Sequence, residues 1–240
     1  MSVEIYSDKA ELAEAAARDF VAKASQAIKE RSRFTVVLAG GSTPKATYAR
    51  LARDHAAEVD WGNVHVFFGD ERAVPPDHED SNYRMAHEAL LDHVSVGSVH
   101  RMRGELPPEH AAKAYEEELR EFFEDEAIPS FDLIMLGIGG DGHTASLFPN
   151  TPALDATDRW VVENPVEKLD TVRITLTAPI INAARAVNFL VAGEDKAEAL
   201  REILEGGEDP HTYPAKLVRP SGGATWMVDR EAAGSLKNTD

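Results

Sequence analysis

Three observations predict an α/β protein, a doubly wound, Rossmann-like, mostly parallel sheet flanked by helices on both faces. Short apolar runs rich in β-branched and aromatic residues recur at 34–39, 64–68, 131–138 and 188–192; such runs suit strands covered on both sides. Segments with helical spacing of apolar residues lie between them, as parallel crossovers require. Several of the runs end abruptly in glycine, at the strand ends beyond which open α/β sheets bind ligands. No repeat, low-complexity tract or linker divides the chain, so residues 1–240 read as a single domain.

In order along the chain, residues 3–6 form a first strand. Ser7 is placed to cap a long helix with Leu12, Ala15, Ala16, Phe20, Val21 and Ala24 inward. The strand at 34–39 runs into Gly40-Gly41-Ser42-Thr43-Pro44, where Ser42 or Thr43 is expected to cap a helix and Pro44 to sit in its first turn. A strand, a glycine turn and a helix N-terminus bring unpaired amides and the helix dipole to one point, which makes Gly40, Gly41 and Ser42 a candidate phosphate site. The turn lacks both the Walker ending and the dinucleotide Gly-x-Gly-x-x-Gly, so the nucleotide fingerprints are excluded.

The strand at 64–68 ends in Gly69-Asp70-Glu71-Arg72. The stiff Val74-Pro75-Pro76 that follows is expected to hold these three charged side chains over the sheet edge. Ser81 caps a helix with Tyr83, Ala86, Ala89 and Leu90 as its apolar stripe. Pro107-Pro108 opens an acidic helix running through residues 115–126, which reads as a solvated face because apolar residues interrupt the charges.

The stretch FDLIMLGIGGDGHTASLFP at 131–149 is the focus of the chain. An apolar strand stops at three glycines in four positions, and Asp141 and His143 stand in and just past that turn. A carboxylate beside an imidazole at a strand end is a candidate for acid–base chemistry. Beyond it, 160–162, 171–177, 188–192 and 224–228 read as strands. Pro179 starts a short helix, and Gly193-Glu194-Asp195-Lys196 opens another running to about Leu204. Arg173 lies inside a strand, where a charge is costly unless it meets an anion or solvent. Lys196 lies in a first turn, against the helix dipole. Such local inconsistencies gather at functional sites.

Composition narrows the function classes. A formal charge of −17 disfavours nucleic acid and anionic membranes as partners, and leaves a small anionic ligand held by a local nest of cations and amides. The absence of cysteine excludes disulfides, thiolate metal sites and cysteine nucleophiles. No apolar run approaches the roughly 20 residues of a membrane span. The N-terminal MSVEIYSDKAELAEA lacks the apolar core of a signal peptide, so a cytoplasmic protein is expected.

Taken together, LAGGSTP at 38–44, FFGDERAVPPDHEDSNY at 67–83 and GIGGDGHTASLFP at 137–149 closely resemble the 6-phosphogluconolactonases, nearly end to end. The resemblance implies hydrolysis of 6-phospho-D-glucono-1,5-lactone to 6-phosphogluconate in the pentose phosphate pathway, with no metal or other cofactor. It implies that Gly41, Ser42, Arg173 and Lys196 cradle the phosphate, with Arg72 contributing to the anionic site, and that His143 activates a water without a covalent intermediate. Asp141 or Asp70 would orient the imidazole, and a glycine-turn amide or Arg72 would meet the oxyanion. The expected partner is the small lactone itself, with the chain a monomer or small homo-oligomer.

Two other readings are weighed against this one. The related glucosamine-6-phosphate deaminases continue Ile-Ala-Phe-Asn-Glu-Pro after the histidine and use that Glu in a catalytic relay, with Asp70 as the carbon base in that reading. Here the residues are Thr144-Ala145-Ser146-Leu147-Phe148-Pro149, with no Glu. A non-catalytic sugar-phosphate sensor of the same fold would carry a DNA-binding module, which neither the start of this chain nor its acidic balance suggests.

Overall fold

Strands that are apolar at every position must be covered from both sides, and this chain meets that demand with one parallel sheet between two layers of helices. The computed structural model describes residues 1–124 and 127–237. Its elements are β1 (Ser2–Tyr6), α1 (Lys9–Arg31), β2 (Phe34–Leu38), α2 (Ser42–Asp54), β3 (Val64–Phe68), β4 (Asp70–Arg72), α3 (Asn82–Ala86), β5 (Ser98–Val99), α4 (Pro108–Phe122) and β6 (Leu133–Leu136). There follow β7 (Val161–Val166), β8 (Thr171–Leu176), α5 (Ala178–Asn182), β9 (Val187–Val191), α6 (Ala197–Glu205) and β10 (Ala224–Asp229). Seven strands form the main sheet in the order β1-β10-β9-β6-β2-β3-β5, every pair parallel.

From β2 the chain builds outward through β3 and β5, then returns to lay β6 on the other side of β2 and continues through β9 and β10. The order therefore reverses between β2 and β6, and a crevice opens past their carboxyl ends. Alternation along each strand divides the core in two. Val36 and Leu38 of β2 pack with Phe20, Tyr48 and Leu51 of α1 and α2 on one face. Val37 packs with Tyr115 and Leu119 of α4, Ile180 of α5 and Leu200 of α6 on the other.

Two buried tyrosines fix the strand ends nearest the crevice. Tyr48 Oη accepts from the Ala39 N–H and donates to the Ala39 carbonyl, both at 2.9 Å. Tyr115 Oη does the same to Phe68 from the opposite face, at 2.9 and 3.2 Å. Each hydroxyl satisfies backbone groups that the sheet leaves unpaired, at the place where the chain turns into the site.

The strand expected at 171–177 leaves the main sheet. β4, β8 and β7 form a separate three-stranded antiparallel sheet. The connection between β7 and β8 is too short for a parallel crossover. β4 begins one residue after β3, and Gly69 turns the chain out of the parallel layer.

Three expectations are corrected here. Asp8, not Ser7, caps α1: its Oδ1 accepts from the N–H groups of Ala10 and Glu11 at 2.8 and 2.9 Å, while Ser7 N–H donates to Glu11 Oε2 at 2.7 Å. That reciprocal box places a carboxylate at the positive end of the helix dipole. Neither Ser42 nor Thr43 caps α2; Gly41 holds the cap position with no side-chain hydrogen bond. The acidic helix ends at Phe122, and residues 125 and 126 lie outside the described residues. Nor is its face wholly solvated. Glu116 is buried and accepts from Arg120, Arg159 and the Trp160 and Val161 amides, which ties α4 to the start of β7.

Candidate active site

A cavity of about 580 Å³ opens beyond the carboxyl ends of β2, β6 and β9, with β4 and β8 forming one wall. All nine residues singled out from the sequence line it: Gly40, Gly41, Ser42, Asp70, Arg72, Asp141, His143, Arg173 and Lys196.

The turn after β6 is wound tightly around its own side chains. A Cβ on Gly139 would lie 2.1 Å from His143 Nδ1, so only glycine there lets the imidazole fold down against the turn. The Gly139 N–H donates to the His143 carbonyl at 2.9 Å and closes the loop. Asp141 Oδ1 accepts from the His143 backbone N–H at 3.2 Å and lies 2.5 Å from His143 Nδ1. Asp141 Oδ2 accepts from Lys168, at the tip of the β7–β8 hairpin. Burial pushes the Asp141 carboxyl up, but the hydrogen bonds from His143 and Lys168 outweigh it and hold the group well below the usual carboxylate range. An ionised Asp141 accepts only, which assigns the proton to Nδ1 and leaves the lone pair on Nε2. Nε2 makes no hydrogen bond to any described residue, and the ring stacks on Phe148 with centroids 4.2 Å apart.

The opposite wall is cationic. In the β4–β8 ladder Arg72 stands directly across from Arg173, and Asp70 across from Thr175. Alternation sends Asp70 and Arg72 to the cavity and Glu71 to the other side. There buried Glu71 accepts from Ser81 Oγ and from the amides of Arg72, Asn82 and Tyr83, at 2.7–3.0 Å. The three consecutive charges therefore divide, two to the site and one to cap α3. Ser81 also caps that helix, accepting from Arg84 N–H at 3.1 Å as expected.

Two unit charges about 6 Å apart repel by about 3 kcal/mol at an effective dielectric near 20, and like charges directly across a ladder destabilise it. Burial, and then Arg72, push the Arg173 guanidinium down from its ordinary value. The Nε atoms of Arg72 and Arg173 are both buried without a hydrogen-bonding partner. Paired guanidinia with orphaned donors are the signature of a wall built for an anion.

The two glycine turns complete the cavity. Gly41 (φ 101°) and Gly193 (φ 101°) adopt the same left-handed backbone before helical segments. At the first, the uncapped amides of α2 remain available, and the Ser42 hydroxyl accepts from Lys9 Nζ at 2.8 Å. At the second, Lys196 Nζ lies 2.8 Å from Asp195 Oδ2 at the cavity edge.

Asp70 is held away from His143. Its Oδ2 accepts from Ser146 Oγ at 2.6 Å and its Oδ1 from Asn82 Nδ2 at 3.1 Å. Of the two carboxylates left open by the sequence, Asp141 is the partner of the imidazole. Lys168, Ser146, Asn82 and Phe148 also line the cavity and had no assigned role. Three of them lie inside the quoted motifs, where a residue-by-residue polarity check would have marked Asn82 and Ser146; Lys168, in a charged hairpin tip, carries no such signal.

Fold and cavity define an open parallel α/β protein with a cationic wall and a carboxylate–imidazole pair at its switch point. The chain belongs to the family described as glucosamine-6-phosphate isomerases/6-phosphogluconolactonase, whose profile it matches over residues 7–227. It is 45% identical to a 6-phosphogluconolactonase of Synechocystis over 240 residues, covering 98% of each chain. The solved 6-phosphogluconolactonase of Trypanosoma cruzi superposes with a TM-score of 0.86 at 30% identity, covering 99% of this chain and 97% of that one. A monomeric glucosamine-6-phosphate deaminase is similar at 26% identity and a TM-score of 0.79, covering 98% of this chain and 100% of that one.

Proposed function

We infer that this protein is a 6-phosphogluconolactonase, hydrolysing 6-phospho-D-glucono-1,5-lactone to 6-phosphogluconate in the pentose phosphate pathway. The observation that carries the reading is the facing pair Arg72 and Arg173, with buried unpartnered Nε atoms, in the same cavity as the Asp141–His143 pair. The first provides for a phosphate and the second for activation of water. In this reading Gly40, Gly41 and Ser42 offer amides and a hydroxyl to the phosphate, with Arg72, Arg173 and Lys196 supplying charge.

His143 Nε2 takes a proton from water as the oxygen attacks the lactone carbonyl, and Asp141 stabilises the imidazolium through Nδ1–H. The tetrahedral oxyanion is met by a glycine-turn amide or Arg72. On collapse the ring C–O bond breaks, and the imidazolium returns its proton to the leaving hydroxyl. In this reading Asp70, held by Ser146 and Asn82, orients the sugar hydroxyls. The same reading makes the enzyme cytoplasmic, a monomer or small homo-oligomer, acting on a small molecule. Among the described residues no helix is long and apolar enough to cross a membrane.

Acid release from freshly prepared 6-phosphogluconolactone, followed by pH-stat against the spontaneous rate, tests the reading. Strong acceleration is expected, with little on unphosphorylated gluconolactone. Release of ammonia from glucosamine 6-phosphate, with no acceleration on the lactone, would replace this reading by a deaminase.

A further inference from the structure

The Asp141–His143 pair has a third member. A carboxylate 2.5 Å from an imidazole nitrogen attracts positive charge to the ring, and an imidazolium cannot take a proton from water. Lys168 answers that difficulty by position. Its ammonium donates to the second oxygen of the same carboxylate and lies 5.1 Å from the centre of the Phe148 ring on which His143 stacks. From the imidazole, Asp141 then acts as one end of a dipole rather than as a bare charge. Lys168 also lines the cavity with Leu169, at the tip of the β7–β8 hairpin, and half of its side chain is exposed.

We propose that Lys168 is a positioning residue for the lactone hydrolysis inferred above: by occupying the second oxygen of Asp141 it holds that carboxylate in place and offsets its charge at the His143 ring. The inference rests on that functional reading for its catalytic consequence only. The coupling between Lys168 and His143 is a property of the ligand-free protein. Other charged groups of the cavity are Asp70, Arg72 and Arg173 on β4 and β8, and Asp195 and Lys196 after β9. Asp70 is engaged by Ser146 and Asn82, and Lys196 by Asp195. Lys168 is the cation that touches the carboxylate of the pair.

The sign follows directly. Removing a positive charge beside the imidazole makes the imidazolium cheaper, so the acid limb of the pH–rate profile moves to higher pH. Solvent screening at a half-exposed lysine limits the displacement to about 0.5–1 pH unit. The test is a charge series, Lys168→Arg, Lys168→Met and Lys168→Glu, read in two ways. NMR titration of the His143 ring in the free protein should give a midpoint near wild type for Arg, raised for Met and raised further for Glu. The pH–rate profiles should move in the same order, with the Met variant recovering most of its turnover above the displaced limb. Midpoints that coincide within about 0.2 pH unit, or that fall, overturn the proposal. So does a loss confined to KM at every pH, which would make Lys168 a substrate contact. If the midpoints move as expected but no variant or wild type hydrolyses the lactone, the functional reading fails and the coupling stands.

Discussion

At the cavity, His143 Nδ1 lies 2.5 Å from Asp141 Oδ1; at the far edge of the sheet, His100 Nδ1 lies 2.7 Å from Glu118 Oε1. His100 goes further than His143 in one respect. Its Nε2 is 2.7 Å from Ser98 Oγ, so Ser98, His100 and Glu118 stand in the order of a hydrolase triad. The serine oxygen is also 2.8 Å from His65 Nδ1, and the His100 ring lies flat on Phe67 at 4.5 Å between centroids. None of the four lines the cavity. Burial, then His100 and Arg33, push the His65 imidazole down, and a neutral His65 donating from Nδ1 to Ser98 Oγ completes the chain of hydrogen bonds. A histidine paired to a carboxylate is therefore not in itself a site. His143 differs by an Nε2 with no partner among the described residues and by a cationic wall in the same cavity.

The comparison is sharpened most by removing each imidazole. His143→Asn should lower kcat by about 10²–10⁴-fold while substrate still binds, the range for loss of a general base. Turnover near wild type in the folded variant would remove His143 from the mechanism. His100→Asn should leave kcat within about threefold and cost about 1–2 kcal/mol of stability in denaturant titration, for a half-satisfied, part-buried chain. Comparable kcat losses in the two variants would break the distinction.

The next effect concerns the wall that only one of the two regions possesses. Arg173→Met should reduce kcat/KM by about 30- to 10³-fold, mostly through KM, as expected for about 2–4 kcal/mol of charge-assisted phosphate contact. The ligand-free variant should be no less stable than wild type, because a like-charge pair has been relieved. Inorganic phosphate should raise the melting temperature of the wild type and not of the variant. An unchanged kcat/KM would move the phosphate elsewhere.

The smallest effect belongs to a third histidine–carboxylate cluster, on the surface. His211 lies 2.9 Å from Asp155 and 3.1 Å from Asp209, and hydrogen bonds to those two carboxylates raise it above its ordinary value. A raised folded value means the contribution to stability is complete below about pH 6.5, the unfolded range, and is lost as pH rises through the folded value. The melting-temperature difference between wild type and His211→Gln should therefore be greatest near pH 5.5 and vanish at alkaline pH. A difference that grows with pH would contradict the assignment.

Much of the site was visible before the fold because its signals are local. Run length and composition marked β2, β6 and β9, and glycines at their ends marked the turns. Asp141 and His143 share one turn, and their pairing needs no long-range contact. The residues that were missed act across the chain. Lys168 reaches Asp141 from 27 residues away, and Ser146 reaches Asp70 from 76. The cap of α1 lies one residue beyond the expected Ser7 because the Asp8 carboxylate, rather than the Ser7 hydroxyl, accepts from the Ala10 and Glu11 amides, leaving the Ser7 amide to Glu11.

By itself the sequence determined the class of fold, most of the strands of the parallel sheet and the glycine turns that line the cavity, since hydrophobic period and glycine act within a few residues of one another. Arg173 was visible as a charge in a strand needing a counter-ion, but not what it faced. Its register against Arg72, the division of Asp70 and Glu71 between two faces, and the choice of Asp141 over Asp70 beside His143 were decided by the antiparallel sheet and the hairpin tip. The reason is physical: register and like-charge opposition depend on which strands meet, and that is set by packing over the whole chain.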